Sequence, residues 1–243
     1  MAVSTHARGL AASDSEVSSA PRHSVAVRIT HWLTALSFIA LVLSGLAILL
    51  AHPRLYWGET GARGGPSLID LPLPFVLDVP MRGPGRYVHF LAAWICLFTG
   101  LIYVANGLFS RHFRKHLLPA RYDLTWQQLR RVTWDHLHLK RPSQEEALTY
   151  NLLQRITYLL VIFVVFPLAI WTGLAMSPAI TSVTPAIVTI FGGQQSARTI
   201  HFFVACFLVL FFVIHIAMIF LAGFANRVRA MITGHAAVAK ERV

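Results

Sequence analysis

Residues 199–224 read T-I-H-F-F-V-A-C-F-L-V-L-F-F-V-I-H-I-A-M-I-F-L-A-G-F. The stretch holds no Asp, Glu, Lys or Arg, and it exceeds the about 20 apolar residues that a helix needs to cross a bilayer. It nevertheless contains His201 and His215. Because an ionisable side chain is costly inside a membrane, histidines at such positions indicate a functional site. The stretch therefore predicts a membrane-spanning helix with a function built into it.

Three earlier segments, at 29–51, 87–110 and 156–176, are also long and apolar and contain no Asp, Glu, Lys or Arg. Of all 243 residues, 56% are hydrophobic and 13% charged, a balance that a soluble domain of this length does not show. The sequence predicts an all-α integral membrane protein, a bundle of four transmembrane helices. We expect a disordered cytoplasmic tail at 1–27, the transmembrane domain at 28–226 and a cytoplasmic C-terminal tail at 227–243.

The net charge of +11 is distributed unevenly over this topology. Sixteen Lys and Arg residues fall in the two tails and in the loop between the second and third helices, whereas five fall on the opposite side. Because positively charged loops stay in the cytoplasm, both termini are expected there, in a multi-pass protein of the bacterial inner membrane. The charges flank apolar runs, which suits lipid headgroups and argues against nucleic-acid binding.

Two further histidines, His31 and His89, lie in the first and second predicted helices. In this topology His31 and His215 fall near the cytoplasmic face, and His89 and His201 near the outer face. His201 and His215 are 14 residues apart, which is about 21 Å along a helix and leaves both rings on one side of it. Neutral imidazoles on opposed helices suit the axial ligation of haem iron. The sequence therefore predicts two haem b groups, an inner one between His31 and His215 and an outer one between His89 and His201.

Three of these histidines have an arginine three residues earlier, one helical turn nearer water. Guanidinium groups at that height suit the propionates of haem. Gly45 lies 14 residues after His31, so it would face the bundle at the level of the outer haem and leave room for a flat macrocycle. We therefore expect further haem contacts from Arg28, Arg86, Arg198 and Gly45.

These residues lie in motifs that together resemble a known family. The motifs are R-I-T-H-W-L (28–33), G-R-Y-V-H (85–89), Y-N-L-L-Q-R (150–155), G-L-A-M-S-P (173–178) and G-G-Q-Q-S-A-R-T-I-H (192–201). Over about residues 25–235, the chain resembles the bacterial di-haem cytochrome b subunits that anchor Ni,Fe-hydrogenases, formate dehydrogenases and thiosulfate-reductase-type molybdenum enzymes. The resemblance implies the same four histidine ligands, and an electron-transfer subunit rather than a stand-alone enzyme.

The resemblance also implies a site for a quinone, menaquinone or ubiquinone, near the inner haem. In formate dehydrogenase subunits the third helix starts with Tyr-Asn near that site, and the matching residues in this chain are Tyr150 and Asn151, with Gln154 one turn on. The ordinary interpretation is that Asn151 caps the helix and Tyr150 anchors it at the interface. The chain departs from the formate dehydrogenase pattern at Leu152 and Leu153, which are bulkier, so the resemblance does not define the shape of the pocket.

These features predict a di-haem cytochrome b that passes electrons between a partner oxidoreductase and the quinone pool. The partner would be a periplasmic or membrane-associated catalytic subunit of the molybdenum-enzyme or hydrogenase type. One alternative is a free-standing di-haem oxidoreductase that acts on superoxide or another small oxidant. Another is a haem-free transporter, which would need broken helices and acidic residues at mid-membrane. The four apolar segments contain no acidic residue.

Overall fold

A computed structural model describes residues 24–59, 66–72, 82–119, 125–138 and 152–235, and within these ranges the chain is mostly helical. The helices are α1 (Val25–Ala51), α2 (Arg82–Phe109), α3 (Trp126–Leu137), α4 (Leu152–Leu160), α5 (Phe166–Ala175), α6 (Pro178–Thr181), α7 (Ala186–Ile190), α8 (Gln194–Leu221) and α9 (Phe224–Thr233). A π-helical turn at Phe113–Leu117 follows α2, and a second one at Val161–Val165 joins α4 to α5. Strands β1 (Arg54–Leu55) and β2 (Ile69–Asp70) pair antiparallel.

Four helical segments of the described chain are long and apolar enough to span a membrane: α1, α2, the continuous segment from α4 to α5, and α8. The predicted four-helix membrane bundle is thereby confirmed. Each span begins four or five residues earlier than its apolar run, because the first turn of each helix carries polar or basic residues that hydropathy excludes. Leu36, Leu43 and Leu91 are each 64% exposed. Such surfaces are stable only against lipid or another apolar partner.

An apolar core lies where the π turn at Val161–Val165 and α5 pack against the middle of α8. Leu208 of α8 is buried in this core, seven residues from His201 and seven from His215. Packed apolar side chains therefore lie between the two histidines of α8. The core consists of Val161, Val165 and Leu208, with Phe38, Phe166, Ala169, Val204 and Phe211 packed against it.

The third span widens into a π turn at Val161–Val165. Pro167 follows two residues later, and it has no backbone N–H to give to the carbonyl one turn earlier. A π turn is a common way for a helix to absorb such a mismatch. The helix therefore continues as α5 instead of ending at the proline.

Helix α9 (Phe224–Thr233) extends into the predicted tail at 227–243. Gly223, with φ of +93°, turns the chain from α8 into α9, and this backbone conformation favours glycine. Arg28 Nη1 donates to the Ile232 carbonyl at 2.5 Å, and Trp32 Nε1 donates to the Met231 carbonyl at 3.2 Å. These bonds satisfy carbonyls that a helix end leaves without partners. The end of α9 is thus fastened to the start of α1.

The loop after α1 is fastened to the start of α8. The Gly58 carbonyl accepts hydrogen bonds from the backbone N–H groups of Gln195 at 2.9 Å and Ser196 at 3.3 Å. The Gly58 N–H donates to Ser196 Oγ at 2.7 Å, and Thr199 Oγ1 donates to the Tyr56 carbonyl at 2.6 Å. The N–H groups that a helix start leaves unpaired are therefore satisfied by this loop.

Candidate functional site

The four membrane histidines meet in two pairs, one towards each end of the bundle. His31 of α1 lies beside His215 of α8, with ring centroids 6.5 Å apart and ring planes at 51°. His89 of α2 lies beside His201 of α8, with ring centroids 6.3 Å apart and planes at 68°. We call these the His31–His215 level and the His89–His201 level. The two pairs are those that the sequence predicts.

Hydrogen bonds orient both rings at the His89–His201 level. His89 Nδ1 lies 3.0 Å from Ser44 Oγ of α1. His201 Nδ1 lies 2.9 Å from Thr172 Oγ1 of α5 and 3.0 Å from the Ala169 carbonyl. Each histidine is therefore held by the span that precedes its own helix, so all four spans contribute to this level.

A glycine follows each of these hydroxyl residues and lies against the histidine ring. A Cβ atom built on Gly45 would lie 3.4 Å from His89 Cε1, and one on Gly173 would lie 3.6 Å from His201 Cε1. Because neither glycine carries a side chain, each ring approaches the backbone of the neighbouring helix closely. Gly45 lies at the level that the sequence predicts for it, and Gly173 is its counterpart on α5.

Aromatic side chains surround the His31–His215 level. The Phe211 ring stacks on His215, with centroids 5.9 Å apart and planes at 22°, and Tyr158 meets the same ring edge-on at 6.4 Å. Trp32 meets His31 edge-on at 5.4 Å. No hydrogen bond to the His215 ring is found within the described ranges. Ring packing, rather than a hydroxyl or a carbonyl, therefore orients His215.

The three arginines predicted as propionate partners have different surroundings. Arg198 Nη2 donates to the His52 carbonyl at 2.5 Å, which ties α8 to the end of α1. Arg28 binds the end of α9, while its Nε is buried and has no hydrogen-bond partner among the described residues. Arg86 is exposed. Arg28 therefore keeps an unsatisfied cationic donor one turn from His31.

Of the residues predicted for a quinone, Tyr150 and Asn151 lie outside the described residues. Gln154 is half-buried in the first turns of α4. It precedes Tyr158 by one helical turn, and Tyr158 contacts His215. Gln154 therefore lies towards the His31–His215 level.

Ser44 and Thr172 are site residues that sequence reasoning missed. Both are buried, with 6% and 0% of their surface exposed. The available signal was a hydroxyl residue directly before each glycine that faces the bundle, Ser-Gly at 44–45 and Thr-Gly at 172–173. A hydroxyl in a helix usually bonds its own backbone, so the pattern alone does not indicate a histidine partner.

The sequence profile of the prokaryotic cytochrome b561 family matches residues 22–234, a range that includes all four spans and both histidine levels. The chain belongs to this family. The resemblance seen in the sequence is thereby confirmed at the level of the family. A member of the prokaryotic cytochrome b561 family is a membrane protein that binds haem b and serves electron transfer.

The chain is also similar to a protein of Azospira oryzae named "Putative protein-methionine-sulfoxide reductase subunit YedZ1". The two are 29% identical over 216 residues, which cover 86% of this chain and 94% of the relative. The similarity therefore extends over nearly the whole membrane domain. No solved structure matches the chain.

The ring separation in each histidine pair leaves room for one metal ion between the two imidazoles. With a metal–nitrogen bond of about 2.0 Å and a ring centroid about 1.1 Å behind the nitrogen, two imidazoles on opposite sides of one metal have centroids about 6.2 Å apart. The observed separations are 6.5 and 6.3 Å. Within the described ranges no group of three or more His, Cys, Asp or Glu side chains is placed to hold an ion. A pair of histidines suits a metal whose remaining ligands belong to the porphyrin.

Proposed function

We propose that the protein is a di-haem cytochrome b that carries electrons across the membrane between a partner oxidoreductase and the quinone pool. The observation that carries the proposal is two histidine pairs at two levels of one bundle, each with the ring separation that axial ligation needs. His31 and His215 would hold one haem b, and His89 and His201 the other. When bound, haem b supplies reversible one-electron oxidation and reduction at its iron.

In this proposal the chain's own residues ligate the two haems, orient the ligating imidazoles and separate the two levels. Helix α8 provides one ligand to each level, and 14 residues separate the two ligands, about 21 Å along the helix. The apolar core around Leu208 lies between the two levels along α8. Arg28, Arg86 and Arg198 would bind propionates, and the buried Nε of Arg28 supports this role for Arg28. Gly45 would leave space beside His89.

We further propose that both termini face the cytoplasm of a bacterial inner membrane. Sixteen Lys and Arg residues fall on that side and five on the other, and this imbalance supports the orientation. The His89–His201 level would then lie towards the outer face, where a partner enzyme would dock. The relative from Azospira oryzae is named as a reductase subunit. That name favours a docking subunit over a free-standing oxidoreductase that itself acts on superoxide.

A quinone site would lie at the opposite, cytoplasmic end, with Tyr150, Asn151 and Gln154 as its polar residues. The support is positional: Gln154 precedes Tyr158 by one turn, and the Tyr158 ring lies 6.4 Å from the His215 ring. A few polar groups on an apolar surface are what orient a ligand such as menaquinone or ubiquinone.

A haem measurement on the purified protein tests the proposal. The protein is extracted in mild detergent, and its dithionite-reduced minus oxidised spectrum, haem content and co-purifying proteins are recorded. We expect b-type bands, about two haems per chain and a larger redox subunit. A protein without b-type bands would overturn the proposal, and a single haem per chain would overturn the two-level arrangement.

Reduction by a short-chain quinol tests the quinone site separately. Gln154→Leu should slow the reduction of the b-type bands about 10-fold, because one lost hydrogen bond to a ligand costs about 1.4 kcal/mol. The difference spectrum should not change. Gln128→Leu, at an exposed position of α3, is the matched control. Equal rates in the two variants would exclude Gln154 from the site.

A further inference from the structure

The His89–His201 level carries the same small motif twice, on two different helices. Ser44 is followed by Gly45 on α1, and Thr172 is followed by Gly173 on α5. In both cases the hydroxyl lies within 3.0 Å of a histidine Nδ1, and the glycine lies against the Cε1 atom of the same ring. A hydroxyl and a glycine thus form a cradle that sets the depth and the rotation of the imidazole.

The hydrogen bonds of each cradle determine the direction of proton donation. A hydroxyl has one proton. Ser44 Oγ lies 2.6 Å from the Ala40 carbonyl, and Thr172 Oγ1 lies 2.8 Å from the Leu168 carbonyl. Because a carbonyl can only accept, each hydroxyl donates its proton to a carbonyl of its own helix. Each hydroxyl oxygen is then left to accept a proton from the histidine.

A backbone carbonyl adds the same constraint at His201 from a second side. The Ala169 carbonyl lies 3.0 Å from His201 Nδ1, and Ala169 lies three residues before Thr172. Nδ1 therefore carries the hydrogen in both rings, and the lone pair lies on Nε2.

We propose that Ser44 and Thr172 are positioning residues that hold His89 and His201 as Nδ1–H imidazoles and thereby lower the reduction potential at this level. The proposal rests on the proposed function, in which both histidines ligate haem iron. A ligating histidine that donates its other ring hydrogen becomes a more basic ligand. A more basic axial ligand favours oxidised iron, so the hydrogen bond lowers the potential. The aromatic surroundings of His215 supply no such acceptor among the described residues.

A redox titration of the loaded protein tests this proposal. Ser44→Ala and Thr172→Val remove the hydroxyls, and the potential of each b-type component is followed by its reduced absorbance bands. We expect Ser44→Ala to make one of the two components easier to reduce by about 10-fold in equilibrium constant, or about 59 mV for one electron. Thr172→Val should shift the same component in the same direction by less, because the Ala169 carbonyl remains as an acceptor for His201 Nδ1. The other component should not move. Thr172→Ser keeps the hydroxyl and should restore the original potential.

Ser37→Ala is the matched control for Ser44→Ala. Ser37 lies two turns earlier on α1, is 5% exposed against 6% for Ser44, and donates to the Leu33 carbonyl at 2.8 Å. If Ser44→Ala shifts neither potential more than Ser37→Ala does, the positioning role is wrong while the proposed function stands. Loss of one haem in Ser44→Ala with retention in Ser37→Ala supports the role. If the wild-type protein has no b-type bands, the proposed function itself is wrong.

Discussion

The two histidine levels are built from different interactions. At the His89–His201 level, each ring meets a buried hydroxyl at 2.9–3.0 Å and lies against a glycine. At the His31–His215 level, Phe211 and Tyr158 pack against the His215 ring. A hydrogen bond fixes both the orientation of an imidazole and the position of its proton, whereas ring packing fixes only the orientation. The His201 ring is therefore more strictly specified than the His215 ring.

The two ends of the bundle are also closed differently. Beside the His89–His201 level, the loop after α1 satisfies the free N–H groups at the start of α8 through Gly58. Beside the His31–His215 level, Arg28 and Trp32 satisfy free carbonyls at the end of α9. Each closure thus uses the backbone groups that a helix end leaves unpaired. It follows that both ends are stabilised by long-range contacts rather than by membrane insertion alone.

Removal of one histidine should show whether the two levels are independent. His201→Ala and His215→Ala should each retain about one of two haems per chain, because a packed apolar core separates the levels. Haem content and the reduced difference spectrum measure this outcome. The haem that remains in His215→Ala should have the reduction potential of the His89–His201 level. Loss of both haems from either variant would show that the levels depend on each other, and loss of neither would show that these histidines are not ligands.

The closure at the His89–His201 end should be the more sensitive to backbone change. Gly193 has φ of +120°, and a Cβ atom at this position would overlap the backbone of Gly58. We expect Gly193→Ala to lower the free energy of unfolding by about 2–4 kcal/mol, from the strained backbone and the overlap together. Thermal bleaching of the haem bands should then affect this level first.

Gly100→Ala is the control for that change. Gly100 lies within α2, and nothing comes within 4 Å of a Cβ atom built on it. Alanine is the better helix former by about 1 kcal/mol, so this variant should bleach at the same temperature as the unchanged protein or a slightly higher one. If both glycine variants bleach at the same temperature, the closure at Gly193 is no more sensitive to a backbone change than the open position in α2.

The spans and the histidine pairs were predictable because they follow from one-dimensional regularities. Apolar length indicates a span, and the 14-residue interval between His201 and His215 places both rings on one side of a helix. Helix α9 was missed because it is short and carries Arg227 and Arg229, which suit a charged tail equally well. The contact of Ser44 with His89 depends on how α1 is rotated against α2, and that rotation is a property of the packed bundle.

The smallest expected loss of stability concerns the His31–His215 level. Phe211→Leu keeps an apolar side chain in the core but removes the ring that stacks on His215 at 5.9 Å. Such an aromatic pair contributes about 0.5–1.5 kcal/mol beyond its buried area, so the haem of the His31–His215 level should bleach at a slightly lower temperature. Phe207→Leu on the same helix, where the ring is 42% exposed, should have no comparable effect.

Combining this change with Ser44→Ala tests the comparison itself. Phe211 acts on His215 through ring packing, and Ser44 acts on His89 through a hydrogen bond, at opposite ends of the bundle. If the levels are independent, the losses of stability should add to within about 0.5 kcal/mol in the double variant. A larger departure from additivity would mean that the core around Leu208 transmits packing changes from one level to the other. The two kinds of histidine support would then act on one shared structure, not on two separate sites.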